Sequence, residues 1–455
     1  MVRDSSPGAT FRFRGLQSYI STLLDSLPIR LQYDKVKTPC IQEMTMKTYY
    51  DCVVIGGGPA GGSAASVVAE AGLDTLLIER DAMPRFHVGE SLMPETYWAF
   101  ERLGLNARIQ KAGFQAKKSV QFVTHRGTES EPFFFRDHDD RPCSTTWQVE
   151  RSEFDKMLFD RAGELGADCY DQTRLVDVRF DDNQKANGVV VRSADGKNHS
   201  IDCQVVIDAT GQQSFLANKL KLKKVDEKLK KVAIWTYYRG AVRGEGDNEG
   251  ATIILNTQSR DAWFWFIPLS RGITSIGCVG DSEYLLKTGA KPEEVFFEQL
   301  ACCPGLTPRL ADAVRLGDIR TAKEFSYSTS QHAGDGWVLV GDAFGFIDPV
   351  YSSGVYFALE MGIRAADAVV AGFRKDDLSG EQLQSWAEEF LEGSQWVRKL
   401  VHAFYSKEFS IGRFMKMHPE HRGKITNLLI GRIFESSAEQ VFKDMEAMMN
   451  QPAAV

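Results

Sequence analysis
The chain has 455 residues, 43% of them hydrophobic and 25% charged, enough to bury a large core and to divide into two or three units. A net charge of -7 leaves no basic footprint, so no nucleic acid is expected as a partner. No run of 18 apolar residues occurs, which excludes a spanning helix and makes the cytoplasm the default location.

Residues 1–45 stand apart from the rest of the chain. Arg3, Arg12, Arg14 and Arg30 are mixed with Ser and Thr, without the apolar h-region or cleavage site of a secretory signal. Three readings stay open: a start codon placed upstream of the real start near Met44–Asp51, a disordered or loosely docked extension, or an organelle-type targeting arm. No predicted element begins before Tyr49, so residues 1–43 are expected to be dispensable.

From Asp51 the chain takes on an α/β pattern. Asp51–Ile55 is a short apolar strand, followed by Gly56-Gly57-Gly58-Pro59-Ala60-Gly61 and a helix rich in small residues. Gly56 permits the tight turn, Gly58 lets a pyrophosphate approach the backbone, and Gly61 lets helix pack on strand. The next strand, Thr75–Ile78, ends in Glu79 and Arg80, and Glu79 lies 23 residues after Gly56, where a carboxylate accepts from ribose hydroxyls. An adenine dinucleotide is expected on Gly56, Gly58, Pro59, Ala60, Gly61, Glu79 and Arg80. Two short elements come next, Phe86–Pro94 (FHVGESLMP) and Gly113–Lys118 (GFQAKK).

A helix is predicted near 152–164, preceded by Arg151, with strands near 173–207 ending in Asp208-Ala-Thr-Gly211. Val120–Val123, Val232–Tyr238, Ala251–Leu255, Trp263–Pro268 and Thr274–Cys278 are expected to pair as antiparallel strands roofing the cofactor. In Ala262–Pro268 (AWFWFIP), alternation puts Trp263, Trp265 and Ile267 on one face and Phe264 and Phe266 on the other. Another buried strand, Gly336–Val340, runs into Gly341-Asp342-Ala343, and then comes Phe346–Gly354 (FIDPVYSSG). Pro349 and Gly354 suit a concavity of backbone N–H groups around Ser353 and Gly354 that could hold an anion. Beyond Asp377, Trp386, Phe390, Trp396, Val397, Leu400 and Phe404 recur at helical spacing, as core side chains rather than ligand contacts.

Taken together, these motifs resemble the flavin-dependent halogenases of the phenol and pyrrole type, within the para-hydroxybenzoate-hydroxylase-like FAD superfamily. The resemblance covers roughly residues 48 to 370. It implies FAD, with Gly341 and Asp342 as the second FAD fingerprint and Arg151 as the arginine beside the flavin. F-x-x-P-x-x-S-x-G, carried by Phe346, Pro349, Ser352 and Gly354, implies chloride or bromide at Ser353 and Gly354. W-x-W-x-I-P implies that Trp263 and Trp265 fill the space beside the flavin where a related monooxygenase admits its substrate. G-E-S-x-x-P and G-F-x-x-K imply that Lys117 receives hypohalous acid, with Lys118 as the neighbour one residue of slip away. Tryptophan halogenases place their lysine a few residues past the proline of G-E-x-x-x-P, whereas here none follows Pro94 before Lys111, which argues against tryptophan as substrate.

The expected architecture is α/β: a Rossmann-like FAD-binding domain (46–375) interleaved with a mostly antiparallel substrate sheet (about 115–148 and 228–290), after an N-terminal extension (1–45) and before a C-terminal helical region (376–455). The expected activity uses FADH2 from a separate flavin reductase, O2 and halide to halogenate a small electron-rich aromatic, free or on a carrier protein. Alternatives from the same sequence are a geranylgeranyl-reductase-like flavoprotein, an FAD-dependent aromatic hydroxylase, and a non-catalytic flavin-binding protein. Eight cysteines lacking C-x-x-C spacing predict neither zinc nor a disulfide framework, and no metal site is assigned.

Overall fold
Cys52–Ile55 and Thr75–Ile78 are apolar without alternation, as strands covered on both faces are, and both lie inside a mainly parallel sheet. The computed structural model describes residues 46–406, 409–435 and 438–449, so the segment 1–45, and the expectation that residues 1–43 are dispensable, lie outside it. The sheet order is Ala333–Gly334, Trp337–Leu339, Asn198–Asp208, Tyr49–Ile55, Thr75–Ile78, Asp168–Tyr170. All neighbours from Trp337–Leu339 onward run parallel. A hairpin of Arg174–Phe180 and Ala186–Arg192 joins antiparallel to the first half of Asn198–Asp208.

Two helices close on this sheet because glycine lets them. A Cβ on Gly61 would overlap the Gly56 carbonyl oxygen, and one on Gly362 would overlap the Ser63 hydroxyl and the Ala60 carbonyl. Pro59–Glu70 and Ser353–Lys375 therefore pack backbone to backbone just behind the phosphate-type turn.

A second sheet has seven strands, in the order Val314–Thr329, Lys223–Arg239, Ile273–Asp281, Ala262–Pro268, Thr252–Asn256, Ser119–Val123, Phe133–Phe134. The expected alternation in Ala262–Pro268 is present. Phe264 and Phe266 are fully buried in the core with Val232, Ile276 and Phe296, while Trp263, Trp265 and Ile267 turn to a cavity between the two sheets.

Three features depart from the sequence expectation. Ser119–Val123 runs parallel, not antiparallel, to Thr252–Asn256; the chain between them is long and includes a helix, so no hairpin forces the antiparallel sense. Val314–Thr329 is a strand that the sequence pattern does not predict because it is an edge, with Arg315, Asp318 and Lys323 facing solvent and weakening any apolar alternation. Gln115–Lys117 belongs to neither sheet and pairs with Thr146–Gln148 as a separate ribbon.

Beyond residue 376 the described chain is helical, with Ala387–Tyr405, Ile411–Met417, Arg422–Ile430 and Glu439–Met449 as its main elements. Phe390, Trp396, Val397 and Leu400 are buried, and Trp396 stacks on Phe442 at 5.5 Å. Among the described residues, no helix is long and apolar enough to cross a membrane.

Candidate active site
A cavity of about 310 Å³ runs between the two sheets. One end is lined by Gly56, Gly58, Pro59, Ala60, Glu79 and Arg80, the middle by Arg151, Gly341 and Asp342, and the far end by Trp263, Trp265, Ile267, Asp348 and Gly354. All but three of the site residues expected from sequence line it directly. Gly61 lies behind the turn, Ser353 is buried at the start of its helix, and Lys117 is reached through other side chains.

The glycine-rich end fits an adenine dinucleotide. Gly56 has φ +109°, and a Cβ there would overlap the Ala209 carbonyl, so only glycine makes this turn. At Gly58 a Cβ would meet only the Arg85 guanidinium, leaving the backbone open to a close ligand at the N-terminus of Pro59–Glu70. Glu79 accepts from the Gly57 and Asp81 N–H groups at 2.9 and 3.1 Å and faces Arg85 at 3.4 Å. Its carboxylate is thus held in place with lone pairs left for a ribose. Arg80 is half exposed beside it and turns toward Asp81.

Arg151 is built in. Its guanidinium clamps Asp155 in two bonds of 2.7 and 2.9 Å and donates to the Val88 and Gly89 carbonyls. Burial alone would raise the Asp155 carboxyl, but Arg151 and then Arg85 more than offset it, so it lies below the usual carboxylate range. Arg151 thereby fixes the segment carrying Glu90 and Ser91. Asp342 is different: burial lifts its carboxyl to about 6 against Arg151 and Lys223, and its carbonyl accepts from Tyr327 at 2.6 Å.

At the far end, Ser352 adopts a left-handed backbone (φ +59°) and starts the helix Ser353–Lys375, whose first N–H groups, on Ser353 and Gly354, have no intrahelical acceptor. A Cβ on Gly354 would meet no protein atom within 4 Å and would project into open space. The fit is to a small anion or to a flat ring set against the backbone. The two indoles line the same cavity, 6.4 Å apart. Trp265 donates to Ser275 at 3.1 Å, and its ring occupies the space over Gly277, its cross-strand partner, where any Cβ would collide with it. Trp263 donates to Tyr405 at 3.1 Å.

Lys117 is 3% exposed, and its ammonium donates to Ser91 Oγ and the Leu92 carbonyl, both at 2.9 Å. Ser91 and Thr252, whose hydroxyls are 2.8 Å apart, do line the cavity and connect the lysine to it; Gln148 donates to Thr252 at 2.8 Å. Burial, with no carboxylate partner among the described residues, lowers the Lys117 ammonium to about 7. Lys118 points the other way, half exposed and paired with Asp247 at 2.7 Å.

Several side chains around the site are not singled out by sequence. Glu90 is buried, accepts from Tyr237 at 2.7 Å and is raised by burial to about 7. Both Glu90 and Ser91 lie in the G-E-S element, and Asp348 in the F-x-x-P loop, so the motifs held the signal. Gln148, Thr252, Ser275 and Tyr405 had none, because only strand register and the return of the C-terminal helix bring them in. Phe404, expected as core, meets Trp263 edge to face at 5.9 Å. Away from this site, potential ligand atoms of His418, Glu420 and His421 lie within 4.8 Å of one another, with His421 bonded to Asp444.

With this geometry in hand, known proteins give the lineage. The FAD binding domain family matches residues 49–360. The 1H-pyrrole-2-carbonyl-(peptidyl-carrier protein) brominase of Pseudoalteromonas luteoviolacea is 33% identical over 393 residues, 85% of this chain and 93% of that one. Sulochrin halogenase of Aspergillus terreus is 33% identical over 359 residues; the match covers 73% of this chain and 65% of the fungal enzyme. A solved flavin-dependent brominase superposes with a TM-score of 0.79 at 30% identity, covering 88% of this chain and 98% of that one. The chain therefore belongs to the FAD-binding flavoproteins and, within them, to the flavin-dependent halogenases.

Proposed function
We propose that this enzyme halogenates an electron-rich aromatic of the pyrrole or phenol type, free or tethered to a carrier protein, in the cytoplasm with reduced flavin from a separate reductase. The observation that carries the reading is Lys117: a buried amine with no carboxylate partner among the described residues, linked through Ser91 to a cavity walled by two indoles. Bound FAD, once reduced, supplies with O2 the oxidising equivalent that turns halide into hypohalous acid.

The chain's own residues do the rest. Ser353 and Gly354 hold the halide on backbone N–H groups. Trp263 and Trp265 fill the wall opposite, so a small anion reaches the centre and an aromatic ring does not. Lys117 then takes the halogen: its neutral amine attacks HOX, an N–X bond forms, the HO–X bond breaks, and hydroxide leaves as water with the proton lost from nitrogen. The aromatic attacks the halogen, the N–X bond breaks, and the amine recovers a proton from the ring carbon. An aromatic hydroxylase is disfavoured by the same indole wall, since its substrate has to touch the flavin. Mass spectrometry of a pyrrole and phenol panel, free and carrier-bound, with enzyme, reduced FAD, O2 and either halide tests the reading. Isotope pairs of chlorine or bromine support it, and hydroxylated product alone overturns it.

A further inference from the structure
The halide loop is tied to the indole wall by a side chain from outside the matched FAD domain. Trp263 Nε1 donates to the Tyr405 hydroxyl at 3.1 Å, and that hydroxyl donates to both Asp348 oxygens, at 3.0 and 3.2 Å. Tyr405 is the last residue of Ala387–Tyr405, Trp263 lies on the central strand Ala262–Pro268, and Asp348 precedes Pro349 in the loop. The same helix end braces the loop a second time, since Phe404 meets Trp263 and Tyr351 edge to face and the Tyr351 hydroxyl donates to the Leu400 carbonyl at 3.4 Å. Asp348 and Trp263 both line the cavity.

We infer that Tyr405 is a positioning residue joining Trp263 to Asp348, and that the charge on Asp348 sets how well the loop holds a halide. The second half rests on the proposal that Ser353 and Gly354 bind halide; the first half does not. Asp348 is buried, and burial raises its carboxyl to about 7 against the Val350 N–H, Tyr405 and the more distant Lys231. Lys231 is engaged elsewhere, bonded to Asp281 at 2.6 Å with its ammonium 3.8 Å from the centre of the Tyr405 ring. Tyr351 faces Asp348 from the loop itself, its hydroxyl kept protonated by burial. Below about 7 the carboxyl is neutral and tolerates an anion five to six positions along the chain; above it, a carboxylate lining the same cavity repels that anion.

The test uses the full chain with FAD, the variants Tyr405→Phe and Asp348→Asn, and two readouts. In wild type, halide KM should rise about tenfold between about pH 6 and about pH 8, the scale of one charge repulsion across a partly buried site, and Asp348→Asn should be flat. The 15N indole resonance of Trp263, assigned by its loss in Trp263→Phe, should move with a midpoint near 7 in wild type. It should stop moving in Tyr405→Phe, with FAD affinity unchanged. An indole resonance that still titrates without the Tyr405 hydroxyl, or never titrates in wild type, overturns the relay. A halide KM equally pH-dependent in Asp348→Asn overturns the control of halide. If no halogenated product forms at all while the Trp263 resonance titrates through Tyr405, the functional reading fails and the positioning role stands.

Discussion

Lys117 differs from an ordinary surface lysine in what surrounds it. It donates to Ser91 and Leu92, the Phe135 ring lies 5.8 Å away, and no acid among the described residues balances its charge, so burial brings it to about 7. If the neutral amine takes the halogen, kcat at saturating halide should rise with pH through about 7, because the lowered ammonium loses its proton there. Stopped-flow or quenched product assays measure this, and a kcat that falls through the same range assigns delivery to the ammonium instead. The neighbouring hydroxyls matter as partners. Thr252→Val removes one of the two acceptors of the buried Gln148 amide, leaving the Gly250 carbonyl, and one of the two partners of the Ser91 hydroxyl, leaving Lys117, and should cost about 1–3 kcal/mol of stability for the one amide N–H left unsatisfied, read by denaturant unfolding. An unchanged midpoint with unchanged slope would show that the network is slack. The motif around Lys117 was legible because it is contiguous; the lysine's depressed proton affinity was not, because it depends on how distant segments of the chain enclose it.

At the scale of elements, the strand Ala262–Pro268 divides its labour by alternation, with phenylalanines to the core and indoles to the cavity. That division could be read directly from the sequence, as could the turn Gly56–Gly61. The room for the indoles could not. It comes from Gly277 on the adjacent strand, paired with Trp265 on one side and Trp235 on the other. Gly277→Ala should force the Trp265 ring aside at a cost of about 1–3 kcal/mol and shift its fluorescence, the ordinary penalty for overpacking. Wild-type stability in that variant would mean the ring is loosely held. Replacing both Trp263 and Trp265 with smaller side chains should raise hydrogen peroxide or hydroxylated product relative to halogenated product; a double variant that halogenates normally would make the pair ordinary packing. The edge strand Val314–Thr329 is hidden in the sequence for a related reason: half exposed and charge-rich, it has no apolar rhythm to betray it.

For the molecule as a whole, the sequence order scatters the site across hundreds of residues, from Gly56 to Tyr405, and the fold gathers it between one mainly parallel and one mainly antiparallel sheet. The dinucleotide end is local in sequence and was legible; the far end is built by register and by the returning C-terminal helix, which hydropathy marks only as amphipathic. In the proposed reaction the electrophile passes through Lys117. The direct measurement is product and oxidant analysis of Lys117→Ala beside Lys118→Ala, both loaded with reduced FAD, O2 and halide in the presence of a hypohalous-acid scavenger. Lys117→Ala should keep consuming halide, lose halogenated product and pass its oxidant to the scavenger, while Lys118→Ala, whose side chain pairs with Asp247 away from the cavity, should behave as wild type. Wild-type halogenation by Lys117→Ala would contradict it.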